Sequence, residues 1–163
     1  SVPDPHVQAI ARSSLPHIDV LFVNEIEAGM VLGKDLREDK PVDWTALEGA
    51  CRDLLALGVH QWVILHCQQG AIAVHANGEI TRQVSVRVPK DAIVGSTGAG
   101  DAFAAGVLLG LHQDWGMARC LELGVCAAAI SLSAGPPSDG MLSTEQCLAK
   151  CRESLQQSSS GED

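Results

Sequence analysis

Tyrosine is missing from this 163-residue sequence, and aromatic residues together make up only 3% of it. With hydrophobic residues at 46%, packing falls to small apolar side chains, which suits helices laid close against a sheet. Positive charge is also scarce: 11 Lys and Arg against 20 Asp and Glu leave a net charge of −9. That balance argues against nucleic acid or an anionic membrane surface as a main partner. No apolar run is long enough to span a bilayer, and the opening Ser1-Val2-Pro3-Asp4-Pro5 is too polar for a signal peptide. The six cysteines, at 51, 67, 120, 126, 147 and 151, form no Cys-x-x-Cys pair. Cys147 and Cys151 lie one helical turn apart but lack the histidine partners a metal would need. The expectation is reduced thiols in a cytoplasmic protein. By length the chain is one ordinary domain, large enough for a real core.

A phosphate motif is absent as well. A P-loop needs Gly-Lys followed by Ser or Thr, and the glycine-rich stretch of this chain contains no lysine. That stretch is Val94-Gly95-Ser96-Thr97-Gly98-Ala99-Gly100-Asp101-Ala102-Phe103, a small-residue turn running into a helix that continues apolar to Leu111. Glycines 98 and 100 let the backbone tighten and let a ligand approach without a Cβ in the way. The free N–H groups of the new helix then point at that ligand, and the helix dipole favours negative charge there. Asp101, in the first turn, is a candidate base beside the bound anion. Amides holding an anion, plus a carboxylate, are what phosphoryl transfer to a hydroxyl needs. Taken alone, the stretch also reads as a tight loop entering a buried helix with Asp101 as its cap. A dinucleotide turn at Gly95-x-x-Gly98-x-Gly100 is disfavoured, since it wants a following strand with an acid about 20 residues on. Here a second helix follows.

From the start of the chain, Val7, Ile10 and Ala11 are spaced for a short helix over 6–14. Asp19-Val20-Leu21-Phe22-Val23 reads as a buried strand ending at Asn24. Glu25 to Leu32 have helical character, with Gly33 as the stop. Asn24-Glu25-Ile26-Glu27 therefore sits beyond a strand's C-terminal end, where open α/β sheets bind ligands. By itself, an Asn cap with glutamates in the first turn is the better explanation; paired with Gly98–Asp101 it gives way. After a charged loop over 34–41, Asp43 caps a helix running to about Leu57, with Ala46, Leu47, Ala50, Leu54 and Leu57 on one face. Trp62-Val63-Ile64-Leu65-His66 is a second buried strand, followed by Gln68-Gln69-Gly70 and the strand Ala71–Val74. Asn77-Gly78 is a hairpin turn, returning through Ile80, Val84, Val86 and Val88. A second apolar helix spans Met117 to Ala134. A loop covers 135–140, and Ser143 with Gln146 forms a capping box for a last helix to about Leu155. Residues 157–163, serine-rich and acidic, read as a disordered tail.

Gly98-Ala99-Gly100-Asp101 at a helix start closely resembles the signature of the ribokinase-type (PfkB) carbohydrate kinase family. Asn24-x-x-Glu27 matches that family's second signature in its usual setting of strand, Asn-Glu and a helix ending in Gly. The resemblance covers roughly residues 6–155 and implies an α/β, three-layer, Rossmann-like fold of ribokinase type. Only the C-terminal half of that fold is covered: residues 1–156 correspond to the nucleotide-binding and catalytic half. The other half normally supplies the sugar pocket and a small β lid, so the chain is expected to be a fragment, inactive on sugars alone and prone to self-association.

The implied activity is ATP-dependent phosphorylation of a hydroxyl on a sugar or related small molecule. Its alternative is a non-catalytic nucleotide-binding or regulatory module. The resemblance assigns Asp101 as base and Thr97, Gly98, Ala99 and Gly100 to the moving phosphoryl. Asn24 and Glu27 would organise magnesium through water, because magnesium keeps several waters and takes few direct protein ligands. Gly70, in the turn expected to lie against the nucleotide, is retained. The family's Thr-x-Gly ahead of it is replaced by Leu65-His66-Cys67, leaving His66 either a phosphate contact or a plain strand end. Ala127-Ala128-Ala129 would let an adenine ring lie close to the backbone, and Val125 or Cys126 replaces the relatives' polar Asn. Many members carry an Asp where this chain has Gly95, a carboxylate that helps hold a monovalent cation. Its loss implies weak or absent potassium activation.

Overall fold

A computed structural model of the chain describes residues 4–36, 42–95, 97–133 and 142–159. It divides into two compact units, Ser1–Arg82 and Gln83–Asp163.

In the first unit, Asp4 accepts from the His6 amide and Pro5 fills the first turn of α1 (Pro5–Ser14). Asn24 closes strand β1 (Val20–Asn24) and opens α2 (Glu25–Leu32), which stops at Gly33 in the left-handed conformation (φ 72°). The last carbonyls of α2 need hydrogen-bond donors from outside the helix. Gln8 Nε2 donates to Met30 O and Val31 O, and Arg12 Nε donates to Val31 O. Asp43 caps α3 (Trp44–Ala56) by accepting from the Thr45 and Ala46 amides.

Strand β1 runs parallel to β2 (Trp62–Cys67), with Asn24 beside His66, and β2 is antiparallel to β3 (Gly70–His75). β4 (Ile80–Val84) completes the order β1-β2-β3-β4. Leu47, Ala50, Cys51 and Leu54 of α3 form one core with Val63, Leu65, Ile72 and Val74. On the opposite pleat Ile64, Ala71 and Ala73 are fully buried too, the two-sided burial that unbroken apolar runs imply.

The second unit is helical. Its helices are α4 (Ala99–His112), α5 (Met117–Ser133) and α6 (Thr144–Ser159). α4 and α5 pack backbone to backbone through glycines. A Cβ on Gly106 would lie 3.0 Å from Gly124 Cα, and one on Gly124 would lie 2.7 Å from Val107 Cγ2. The expected capping box opens α6: Ser143 N donates to Gln146 Oε1, and Gln146 N donates to Ser143 Oγ.

Three expectations change. The return strand ends at Val84, so Val86 and Val88 lie outside it. β3 begins at Gly70, and a strand folding back across Asn77-Gly78 runs out of partner there. The last helix continues to Ser159 instead of stopping near Leu155; 160–163, like 135–140, lie outside the described residues. Finally, the cysteines are not all reduced: Cys126 and Cys151 are bonded, with Cα atoms 5.6 Å apart. They are 25 residues apart and meet only because α6 packs on α5. Cys51, Cys67, Cys120 and Cys147 remain thiols, and burial pushes the Cys51 thiol up to about 12.

Candidate active site

The residues singled out by the sequence fall into two groups, one in each unit. In the second unit, Gly98 is the N-cap of α4, left-handed at φ 88°. From there the chain enters the helix, whose first amides have no intrahelical acceptor. The Ala102 amide is the first to be used, donating to Gly98 O at 2.9 Å. A Cβ built on Gly98 meets no protein atom within 4 Å, so the space over this turn is open. Thr97 is exposed in the same turn, Ala99 and Gly100 follow half-buried, and Asp101 is exposed in the first helical turn. Among the described residues the Asp101 carboxylate has no hydrogen bond or ion pair, so it is not consumed as a cap. An exposed carboxylate in the first turn of a helix can accept a proton next to an anion bound at that N-terminus.

A cavity of about 200 Å³ lies in this unit. Val86, Val88, Pro89, Cys126, Ala129 and Ile130 give it apolar walls; Arg87, Ser133 and Lys150 supply polar ones. The Ser133 hydroxyl is already committed to Ala129 O at 2.8 Å. Of the three consecutive alanines, Ala129 reaches the cavity, and at the position of the relatives' Asn it is Cys126 that does so. Arg87, Lys150 and Cys151 were not legible as lining residues. They come from the segment after β4 and from α6, with no motif to link them.

In the first unit, Asn24 and Glu27 form a reciprocal cap on α2. Asn24 Oδ1 accepts from the Ile26 and Glu27 amides at 2.9 and 2.8 Å, and Glu27 Oε2 accepts from the Asn24 amide at 2.9 Å. The capping geometry is thus realised, and it leaves the Asn24 amide N–H₂ and Glu27 Oε1 for other partners. With Asn24 Oδ1 engaged, Glu27 is the oxygen ligand on offer. Among the described residues no group of three acidic, His or Cys side chains could hold a metal. A single exposed carboxylate fits a magnesium ion held mainly through its own waters and a bound phosphate.

His66, beside Asn24 in register, is held below the usual imidazole range by burial, opposed by the carboxylates of Glu27 and Glu25. Gly70 is buried at the start of β3. Burial pushes the Cys67 thiol up, while the amides of Gln69 and Gly70 stabilise its anion, so the Gly70 N–H is directed at that sulfur. No helix among the described residues is long and apolar enough to cross a membrane.

A profile described as pfkB family carbohydrate kinase matches residues 2–143. The 5-dehydro-2-deoxygluconokinase of Geobacillus kaustophilus (strain HTA426) is 40% identical over 79 residues, 48% of this chain and 23% of its own length. The ATP-dependent 6-phosphofructokinase of Thermoanaerobacterium thermosaccharolyticum is 30% identical over 121 residues, 74% of this chain and 33% of its own. The structure of Arabidopsis thaliana ribokinase complexed with ribose and ATP aligns with a TM-score of 0.72 at 20% identity, over 86% of this chain and 43% of that one. This likeness shows the ribokinase fold, of which the chain spans less than half. With the family profile matched along most of its length, the chain belongs to the pfkB family of carbohydrate kinases.

Proposed function

We propose that this chain is the nucleotide-binding and catalytic part of an ATP-dependent kinase acting on a hydroxyl of a sugar or related small molecule. One observation carries the reading: an open, left-handed glycine turn at the start of α4, with an exposed carboxylate in the first turn that has no partner among the described residues. The amides of Gly98 to Asp101, with Thr97, hold the phosphoryl group as it moves. Asp101 accepts the proton of the acceptor hydroxyl, whose oxygen attacks the γ-phosphorus in line as ADP leaves. Positioning and charge neutralisation by the amides carry most of the rate. Glu27, with Asn24, holds the waters of a magnesium ion, which when bound neutralises phosphate charge. The apolar cavity bordered by Cys126 and Ala129 takes the nucleotide base, and Gly70 shapes the turn near the nucleotide. The net charge of −9 suits a small-molecule kinase of the cytoplasm without a nucleic-acid or membrane partner.

The test is Asp101→Asn in the complete protein. Losing a general base lowers kcat by roughly 10²–10⁴-fold, while ATP affinity holds because the amides are untouched. An unchanged kcat overturns the assignment.

A further inference from the structure

The Cys126–Cys151 disulfide joins α5 to α6 at the cavity of the second unit, and both residues line it. Cys126 is 1% exposed and Cys151 5%, and both border that cavity. We infer that this bond is a redox-controlled clasp on nucleotide binding. Formed, it holds α6 in place as a cavity wall; reduced, it releases α6 and the affinity for the nucleotide base falls. The inference rests on the proposed seat of the base in this cavity.

The bond is the covalent tie between this wall and α5. Among the described side chains of α6, Cys147, Leu148 and Cys151 are the buried ones. Lys150, its other contribution to the cavity, is largely exposed. Cys120 and Cys147 are the other thiols of the unit, and burial pushes both up. They stay protonated and are poor attackers of the bond, which leaves an external reductant to open it.

The reductant fitted to this chemistry is a dithiol. One of its thiolates attacks the Cys151 sulfur and expels the Cys126 thiolate, which takes a proton. The second thiol then closes on the mixed disulfide and expels Cys151. Two electrons pass to the protein, giving two cysteine thiols and one cyclic disulfide. A base seated in the cavity covers the sulfurs and slows this attack. Coupling is reciprocal: whatever factor reduction takes from ATP affinity, ATP takes from the equilibrium for reduction.

The experiment compares the complete protein before and after dithiothreitol, with thiols counted by alkylation and mass and folding followed by far-UV circular dichroism. Within residues 1–163, alkylation should mark four thiols before reduction, Cys51, Cys67, Cys120 and Cys147, and all six cysteines after. If reduction leaves α6 seated in about a tenth of molecules, ATP binds roughly tenfold more weakly. Tripolyphosphate, which has no base, should bind equally in both states. Saturating ATP should slow reduction, and Cys151→Ser should show the weaker ATP affinity with or without dithiothreitol.

Equal ATP affinity in both states, alkylation of Cys126 and Cys151 before reduction, or parallel loss of tripolyphosphate binding and helical signal each overturns the clasp. Failure of the oxidised protein to bind ATP at all overturns the clasp and the kinase reading together.

Discussion

Replacing Gly98 by alanine isolates the anion turn from the rest of the fold. Gly98 has φ 88° and ψ −4°, a region where an L-residue costs about 1–2 kcal/mol. Among the described residues beyond its chain neighbours, no atom lies within 4 Å of the added Cβ, so the backbone term is the structural cost. For a chain of this size it lowers Tm by roughly 2–8 °C, at about 2–4 °C per kcal/mol. The functional cost is separate. The methyl group occupies the open space where the phosphate is proposed to sit, and relaxing the strain turns the amides away from it. ATP affinity should fall at least tenfold, about 1.4 kcal/mol.

Gly78 supplies the control. It has φ 96° and likewise nothing within 4 Å of an added Cβ, but it lies in the hairpin turn at the far end of β3 from Gly70. Gly78→Ala should lose similar stability and leave ATP affinity unchanged. Thermal unfolding and calorimetric ATP titration of both variants in the complete protein decide the matter. If Gly98→Ala loses stability yet binds ATP normally, the α4 turn is not the phosphate site. Equal weakening by Gly78→Ala would show that the effect is general destabilisation.

Glu27→Gln preserves the cap on α2, because a Gln oxygen also accepts the Asn24 amide, but removes the charge offered to magnesium. Its Tm should hold while the magnesium needed for half-maximal rate rises roughly 10–100-fold; a normal magnesium titration would reduce Glu27 to a cap. Gly106→Ala forces a Cβ to 3.0 Å from Gly124 Cα and Leu123 O, an overpacking cost of about 1–3 kcal/mol. Gly49→Ala, exposed in α3 with nothing within 4 Å, should instead stabilise by about 0.5–1 kcal/mol. If both shift the melting curve alike, α4 and α5 are not packed as closely as described. Exchanging sodium for potassium should leave the rate unchanged, since Gly95 carries no carboxylate to help hold the cation; several-fold activation would contradict this.

What the amino-acid order determined by itself is what depends on neighbours along the chain. The Asn24–Glu27 cap, the stop at Gly33, the Asp43 cap, the Ser143–Gln146 box and the left-handed Gly98 each involve residues within four positions, so their geometry follows from local sterics and hydrogen bonding. The apolar run of β2 likewise announced two-sided burial, whereas that of β1 misled: only Val23 is buried there. Tertiary structure decided what depends on distant partners. β4 stops at Val84 because β3 has no residue left to pair, a limit absent from the alternating pattern of Val84, Val86 and Val88. Cys126 and Cys151 look like ordinary helical cysteines until α6 folds onto α5 and sets their Cα atoms 5.6 Å apart. The same packing brings Ala129 and Lys150 to one cavity. Spacing along a chain carries no record of such meetings, because they are set by how whole elements bury their apolar faces, not by any short run of residues.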